Sequence, residues 1–236
     1  MNRSNLPTLV LLPGMDGTGE LFQPFVAAMG QACDIVVVTY PCDIPLNYGE
    51  LQAIARQSLP TDRPFVLLGE SFSGPIAIAL TALNLPRQVG LVLCCTFASN
   101  PRPLFNRLGF LVEILPMGLV PTRWLSPLLL GRFSTAALRT ALSRAINKVS
   151  PSVMRKRLRS VLKVDVSTQL SQIKVPAVYL RATQDRVVPK TASLRICELK
   201  PQVQVIEVEA PHCLLQATPD KAARVIVEFL QTRQTH

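Results

Sequence analysis

Short apolar runs recur along the chain, and longer segments with mixed apolar and polar positions separate them. The runs are rich in Val, Ile and Leu and cover residues 8–12, 34–40, 65–71, 89–96, 176–183 and 203–209. Runs of this length between Gly, Pro and polar residues predict buried strands. Helical patterns lie between them at about 20–29, 47–58, 72–83, 190–199 and 218–232. This alternation predicts an α/β fold with a mostly parallel sheet of about six strands and helices on both faces.

The alternation is interrupted between residues 99 and 165, where the pattern predicts no strand. Six prolines divide this segment into short helices, because proline cannot continue a helix. One helix is predicted after Ser134 as N-cap, with apolar residues at i, i+3, i+4 and i+7 from Leu138. A second helix is predicted to begin with Ser150 as N-cap and Pro151 at its first position.

Composition and charge support the division of the chain into a core and an insertion. With 48% hydrophobic and 17% charged residues among 236, the chain is typical of a folded globular protein and not of a disordered or collagen-like one. We expect an α/β core formed by 1–98 and 166–236 and a helical insertion at 99–165. The insertion contains twelve basic and two acidic residues, so it carries the whole net charge of +10. Any electrostatic contribution to function is therefore expected from the insertion.

The remaining composition argues for a cytoplasmic protein without a bound metal or cofactor. The N-terminus lacks the apolar region of a secretory signal, and the longest uncharged run, 71–86, is too short to span a membrane. Several of the six cysteines lie in predicted strands, so reduced thiols are expected. No Cys/His cluster has zinc-ligand spacing, and no Gly-rich loop carries a phosphate-binding lysine.

The segment 69–74, Gly-Glu-Ser-Phe-Ser-Gly, joins a predicted strand to a predicted helix and has Ser71 at its apex. The small residues Gly69, Ser73 and Gly74 suit a sharp turn, in which a strand end and a helix start come close together. The segment resembles the nucleophile elbow of the α/β-hydrolases, with Ser73 in place of the second glycine of G-x-S-x-G. The resemblance implies an α/β-hydrolase fold, a cap formed by the insertion, and an acid and then a histidine following the serine.

A serine nucleophile requires a general base and a carboxylate that orients it. His212 is the candidate base, because the other histidine, His236, is the last residue, where chains usually fray. Asp185 is the candidate carboxylate, since it follows the strand predicted at 176–183 and fits the order of the family. Asp165 is the alternative, because some hydrolases carry the acid one strand earlier.

The oxyanion formed by attack on a carbonyl requires preorganised N–H donors. The resemblance assigns one to Phe72 and the other to Met15, since residues 13–17 are similar to the H-G-x-x-G loop of the family with proline in place of histidine. A glycine-rich turn without a chemical role is the alternative for this loop. Glu70 either shapes the pocket or faces solvent. Three cysteines away from the apex of the elbow are interpreted as packing residues: Cys94, Cys95 and Cys213.

Ser71, Asp185 and His212 together predict acyl transfer. We interpret the protein as a serine carboxylesterase that cleaves an ester of an aliphatic acyl group through an acyl-enzyme. An acyltransferase would use the same residues with an alcohol in place of water, and a non-catalytic binding or signalling protein would retain only the pocket. The apolar residues between 104 and 130 either line an acyl tunnel or pack the cap against the sheet.

The basic insertion predicts an acidic partner. The candidate docking residues are Arg139, Arg144, Arg155, Arg157 and Arg159. The architecture resembles the pimeloyl-carrier-protein methyl ester esterases, which implies an esterase or thioesterase for acyl-carrier-linked substrates, although Glu70 stands where those enzymes have tryptophan. An anionic membrane surface and a solvated face without a partner are the alternatives. Nucleic acid is not expected, because stacking aromatics do not alternate with the basic residues.

Overall fold

The computed structural model describes residues 6–103 and 122–233. Its strands are β1 (Thr8–Leu12), β2 (Ile35–Val37), β3 (Phe65–Glu70), β4 (Gln88–Cys94), β5 (Ala177–Ala182) and β6 (Gln204–Val208). The α-helices are α1 (Gln23–Met29), α2 (Tyr48–Gln57), α3 (Gly74–Thr81), α4 (Thr122–Leu129), α5 (Ala136–Asn147), α6 (Pro151–Lys163), α7 (Ser167–Gln172), α8 (Lys190–Leu199), α9 (Leu214–Ala217) and α10 (Pro219–Gln231). Short 3₁₀ helices cover Glu20–Phe22, Ser71–Ser73 and Gly131–Phe133.

The six strands form one sheet in the order β2-β1-β3-β4-β5-β6, and every neighbouring pair is parallel. The predicted parallel sheet of about six strands is therefore confirmed. From β1 the chain continues to β2 on one side and then crosses to β3 on the other side of β1. Ligands of such sheets bind beyond the carboxyl ends of the strands at the point where the strand order reverses. The loops that follow β1 and β3 meet at this point.

Helices cover both faces of the sheet, as predicted. On one face, alternate residues of β1 such as Val10 and Leu12 pack with apolar residues of α2, α3, α7 and α8. On the other face, Leu9 and Leu11 pack with residues of α1, α9 and α10. The central strand β3 is buried along its whole length. This burial on two faces explains why its sequence is continuously apolar rather than alternating.

Among the predicted boundaries, the end of β2 and the N-cap of α5 differ from the structure for identifiable reasons. The strand expected over 34–40 covers only Ile35–Val37, because the chain then turns towards the loop after β1, where the N–H of Tyr40 donates to the oxygen of Gly17. Thr135, and not Ser134, caps α5, since its hydroxyl accepts from the N–H of Leu138 at 3.2 Å. Helix α6 begins as predicted, with Ser150 as N-cap and Pro151 at the first position.

The described part of the insertion consists of α4, α5 and α6 with the 3₁₀ turn between α4 and α5. Its two ends are adjacent, because Ser99 and Asp165 form an isolated antiparallel bridge. Most of the predicted tunnel residues lie in 104–124, outside the side chains that the structure describes. No helix within 6–103 or 122–233 is long and apolar enough to cross a membrane. All six cysteines are free.

Candidate active site

The segment between β3 and α3 forms the sharp turn that its small residues predict. Ser71 has a φ of 48°, a left-handed conformation that is uncommon for a residue with a side chain. A Cβ on Gly69 would lie 2.7 Å from the Cβ of Ala77, and a Cβ on Gly74 would lie 1.9 Å from Oγ1 of Thr96. Both glycines are therefore required by close packing, and the turn holds the Ser71 side chain beyond the end of β3.

Ser73, which replaces the second glycine of the usual motif, is completely buried and hydrogen-bonded. Its hydroxyl donates to the backbone oxygen of Pro13, and it lies 3.1 Å from the hydroxyl of Tyr40. The side chain thus links the elbow to the loop after β1 and to the end of β2. This link could not be predicted from the sequence, because the three segments are distant along the chain.

The structure brings Ser71, His212 and Asp185 into one hydrogen-bonded chain. The Oγ of Ser71 lies 2.8 Å from Nε2 of His212, and Nδ1 of His212 lies 3.0 and 2.9 Å from the two carboxylate oxygens of Asp185. The Asp185 carboxylate also accepts from the N–H groups of Val187 at 2.8 Å and Val188 at 2.9 Å. These bonds fix the carboxylate, which in turn fixes the orientation of the imidazole.

Asp165, the alternative acid, does not contact His212. It is exposed at the end of the insertion and accepts from the N–H of Ser167 at 2.9 Å, and its hydrogen bonds to Ser167 lower its pKa. Asp165 thus lies two residues before α7, whose N-cap is Val166. Of the two carboxylates, Asp185 is the one that orients His212.

The loop after β1 contains hydrogen bonds among residues 14–18. The N–H of Gly17 donates to the oxygen of Gly14 at 3.1 Å, and the Asp16 carboxylate accepts from the N–H of Thr18 at 2.9 Å. Within the part of the chain that the structure describes, the N–H of Met15 makes no hydrogen bond. An N–H without an acceptor is what an oxyanion donor requires in the free enzyme.

Phe72, the other predicted donor, is positioned by Tyr48 of α2. The Tyr48 hydroxyl donates to the backbone oxygen of Phe72 at 3.0 Å, and the two rings are stacked with their centroids 4.7 Å apart. Phe72 is buried in the cluster that contains α2 and α3. Helix α2, which the sequence linked to no function, therefore supports the residue that follows Ser71.

Glu70, which precedes Ser71, faces the interior and not the solvent. It is 6% exposed, its carboxyl accepts from Nε2 of Gln216 at 2.9 Å, and its other oxygen lies against Gly14. Burial raises the pKa of this carboxyl from 4.5 to about 7. Glu70 thus joins three segments: the elbow, the loop after β1, and α9, which follows His212.

The position of Arg157 contradicts one part of the sequence prediction. The sequence places this residue among the docking residues, but the structure leaves only 1% of it exposed. Its guanidinium donates to backbone oxygens of Met15, Asp16 and Pro41. The residue therefore faces the loop after β1, and a partner at the surface cannot bind it.

The other predicted docking residues lie nearer the surface. Arg144 of α5 is 3.4 Å from the Glu20 carboxylate, which also pairs with Lys148 of the same helix. Arg139 is exposed and donates to the hydroxyl of Ser134. Arg155 and Arg159 are half-buried. These four arginines are therefore accessible at least in part, unlike Arg157.

A cavity and a groove adjoin segments that carry or support the site residues. A cavity of about 160 Å³ is lined mainly by apolar side chains, including Leu21, Leu138, Leu142 and Cys213, with Gln216 at one wall. An open groove of about 520 Å³ runs between the start of α2 and the side of α6 that carries Lys156, Arg159 and Lys163.

The described residues show neither an exposed, reactive cysteine nor a cluster of metal ligands as an alternative to Ser71. Cys94, Cys95 and Cys213 are buried as packing residues, and burial raises the pKa of the Cys213 thiol well above its usual value. In 6–103 and 122–233, no group of three His, Cys, Asp or Glu side chains is arranged to hold a metal ion.

Known proteins resemble this chain in sequence and in structure. Phytyl ester synthase 1, chloroplastic, of Arabidopsis thaliana is 36% identical over 119 residues, which are 47% of this chain but only 16% of that protein. A protein named "Putative carbamate hydrolase RutD" from Rhizobium rhizogenes is 24% identical over 261 residues, covering 99% of this chain and 96% of its own length. A thermophilic esterase from Thermogutta terrifontis has a TM-score of 0.81 at 19% identity, covering 99% of this chain and 92% of its own.

The family comparison covers nearly all of the chain. The model of the alpha/beta hydrolase family matches residues 9–225, a range that includes the elbow, both candidate acids and His212. The parallel sheet, the position of the turn after β3 and the order of serine, acid and histidine agree with this match. The chain is therefore a hydrolase of the alpha/beta hydrolase family.

Proposed function

We propose that the protein is a serine hydrolase that cleaves a carboxylic ester of an aliphatic acyl group. The observation that carries this proposal is the hydrogen-bonded chain from Ser71 through His212 to Asp185 at the carboxyl edge of the sheet. A binding protein that had lost catalysis would have no need for a serine hydrogen-bonded to a buried imidazole and carboxylate in this geometry.

The geometry supports a two-step reaction through an acyl-enzyme. As the Oγ of Ser71 attacks the substrate carbonyl, Nε2 of His212 takes its proton, and Asp185 stabilises the resulting imidazolium. The tetrahedral intermediate collapses when His212 returns that proton to the leaving alcohol, which leaves the acyl group on Ser71. In the second step His212 takes a proton from water, the hydroxide attacks the acyl-enzyme, and Ser71 is released with its proton.

The negative oxygen of the tetrahedral intermediate requires donors near Ser71, and Met15 and Phe72 are suited to this role. The N–H of Met15 is not engaged within the described residues, and Phe72 immediately follows the nucleophile. Two backbone donors that are fixed in advance stabilise the oxyanion without reorganisation during the reaction.

The apolar cavity supports the choice of an aliphatic acyl group. Cys213 lies next to His212, and Gln216 binds Glu70, so the segments that carry the site also form one wall of the cavity. Its volume of about 160 Å³ corresponds to about five water molecules in the liquid, which suits a short chain. An esterase among the similar structures and an ester synthase among the relatives agree with acyl chemistry.

The test compares the wild type with Ser71→Ala on p-nitrophenyl esters of increasing acyl length. The wild type should hydrolyse short esters and be labelled by a fluorophosphonate at Ser71. Ser71→Ala should lose the label and lower kcat by about 10⁴-fold or more, because nothing else near His212 can form the acyl-enzyme. Hydrolysis that survives in Ser71→Ala would reject the catalytic assignment, and a wild type without activity or label would favour a binding protein.

A second candidate is acyl transfer, which the similarity to phytyl ester synthase 1 favours. The first step would be the same, and an alcohol in place of water would accept the acyl group from Ser71. Adding a long-chain alcohol to the same assay separates the two reactions. An acyltransferase would form a new ester at the expense of the free acid, whereas a hydrolase would release acid at an unchanged rate.

A carrier-linked substrate remains part of this proposal. The groove between α2 and α6 has three basic side chains and one acidic one, and it adjoins Tyr48, which supports Phe72. Charge complementarity favours an acidic carrier protein there over a neutral ligand. The same acyl group presented on an acidic carrier and on p-nitrophenol tests this preference, and equal kcat/KM values would remove it.

A further inference from the structure

Arg157 of α6 is the bulkiest side chain that the structure buries completely, with 1% of it exposed. Removing a cation from water costs several kcal/mol unless hydrogen bonds compensate it. Desolvation accordingly lowers the pKa of this guanidinium. An apolar side chain of similar volume would fill the same space without this cost. Packing therefore does not explain the arginine, and its charge or its hydrogen bonds must have a role.

The guanidinium makes three hydrogen bonds, and all of them are to backbone oxygens. Nη1 donates to Met15 at 2.8 Å and to Asp16 at 2.9 Å, and Nη2 donates to Pro41 at 2.8 Å. The guanidinium carbon also lies 5.9 Å from the ring centroid of Tyr40, within cation–π distance. Two of the three acceptors belong to the loop that carries the proposed oxyanion donor.

That loop would be flexible without support. Gly14, Gly17 and Gly19 lie within six residues, and each glycine increases the conformational freedom that must be lost on ordering. Gly17 has a φ of 70°, and a Cβ there would lie 2.7 Å from Nη1 of Arg157. The guanidinium is therefore packed directly against the backbone, and glycine at this position gives it the room to approach.

We propose that Arg157 is a positioning residue for the oxyanion loop. By fixing the carbonyls of Met15 and Asp16, it holds the backbone so that the N–H of Met15 faces the oxygen that becomes negative. Its buried charge lies beside the same loop, where it also favours the negative transition state. The inference rests on the proposed function and adds that a helix of the insertion, α6, keeps the oxyanion donor in place.

The test uses Arg157→Met and Arg157→Lys, with Val153→Ala as the matched control. Val153 is one turn earlier on α6 and equally buried, so its truncation loosens the same helix and removes no hydrogen bond to the loop. Each variant is assayed for kcat and KM on a short p-nitrophenyl ester. Each is also titrated with a trifluoromethyl ketone, which forms a tetrahedral oxyanion on Ser71, and with the corresponding secondary alcohol, which does not.

Loss of a preorganised oxyanion donor should lower kcat by about 10- to 1,000-fold and leave KM within about threefold. We expect this result for Arg157→Met, together with an equal loss of ketone affinity and unchanged binding of the alcohol. Arg157→Lys keeps the charge but not the forked geometry, so an intermediate loss of kcat and ketone affinity is expected. Val153→Ala should retain wild-type kcat and ketone affinity even if its melting temperature falls.

Wild-type kcat and ketone affinity in Arg157→Met would overturn the inference, and so would an equal loss of both in Val153→Ala. If Arg157→Met does not fold, Arg157→Lys decides between the outcomes by the same two measurements. Failure of the proposed function is recognisable separately, because the wild type would then show neither ester hydrolysis nor labelling of Ser71. An active wild type with an unaffected Arg157→Met would reject the role of Arg157 alone.

Discussion

Replacing Glu70 by Gln should change how the stability of the protein depends on pH. The Glu70 carboxyl is buried beside Ser71, accepts from Gln216, and has a pKa that burial raises from 4.5 to about 7. Glutamine has nearly the same shape and can accept this hydrogen bond, but it does not ionise. The substitution therefore removes the titration while it largely preserves the packing.

The sign follows from proton binding in the two states. Between pH 4.5 and about 7 the folded protein keeps Glu70 protonated, whereas the unfolded chain releases the proton. The folded state thus binds more protons, so the free energy of unfolding falls as the pH rises through this window. A difference of about 2.5 pH units corresponds to a loss of about 3 kcal/mol, complete above the folded pKa.

Urea unfolding of the wild type and Glu70→Gln at pH values from about 4.5 to 8 measures this effect. Other groups titrate alike in both proteins, so the difference between their unfolding free energies isolates Glu70. The difference should shift by about 3 kcal/mol in favour of Glu70→Gln across this range. Glu228→Gln, which removes an exposed carboxylate on α10, should show a shift below about 0.5 kcal/mol. A difference that stays constant, or that moves in favour of the wild type, would refute the reasoning.

Two further predictions concern the acid and the elbow. Asp185→Asn should lower kcat by about 10⁴-fold, because the imidazole loses the carboxylate that fixes its tautomer, while Asp165→Asn should stay within about threefold of the wild type. Steady-state ester hydrolysis checks both, and equal losses would contradict the assignment of the acid. Gly74→Ala should destabilise the protein by about 3 kcal/mol, because the new Cβ overlaps Thr96. A melting temperature that Gly74→Ala leaves unchanged would show that Thr96 can move aside.

The sheet and the order of the site residues could be predicted because each depends on local patterns. A parallel strand buried on both faces is a continuous apolar run, as in β1 and β3, whereas the edge strands β2 and β6 are only partly buried and are recognised from their Val and Ile residues. Strand ends at one edge of a parallel sheet bring their loops together. Ser71, Asp185 and His212 each follow a strand, so their meeting required only the correct sheet topology.

Arg157 could not be recognised from charge alone, because its neighbours on α6 are also basic. The periodicity did contain a signal, since Val153, four residues before it, is buried, and Val161, four residues after it, is partly buried against the core. A helical residue between two inward-facing residues at this spacing faces the same side. The basic surface of the insertion is therefore smaller than its sequence suggests, and one of its charges serves the interior.

Ser73, which replaces a glycine of the motif, and the buried Arg157 have the same kind of partner. Both side chains bind backbone oxygens of the loop after β1, one at Pro13 from the elbow and the other at Met15 from the insertion. The Glu70 carboxyl lies against Gly14 between them. Three polar side chains, two from the elbow and one from α6, thus contact successive residues of a glycine-rich loop. If Met15 is the oxyanion donor, as proposed, its preorganisation would account for these contacts, which apolar side chains could not make.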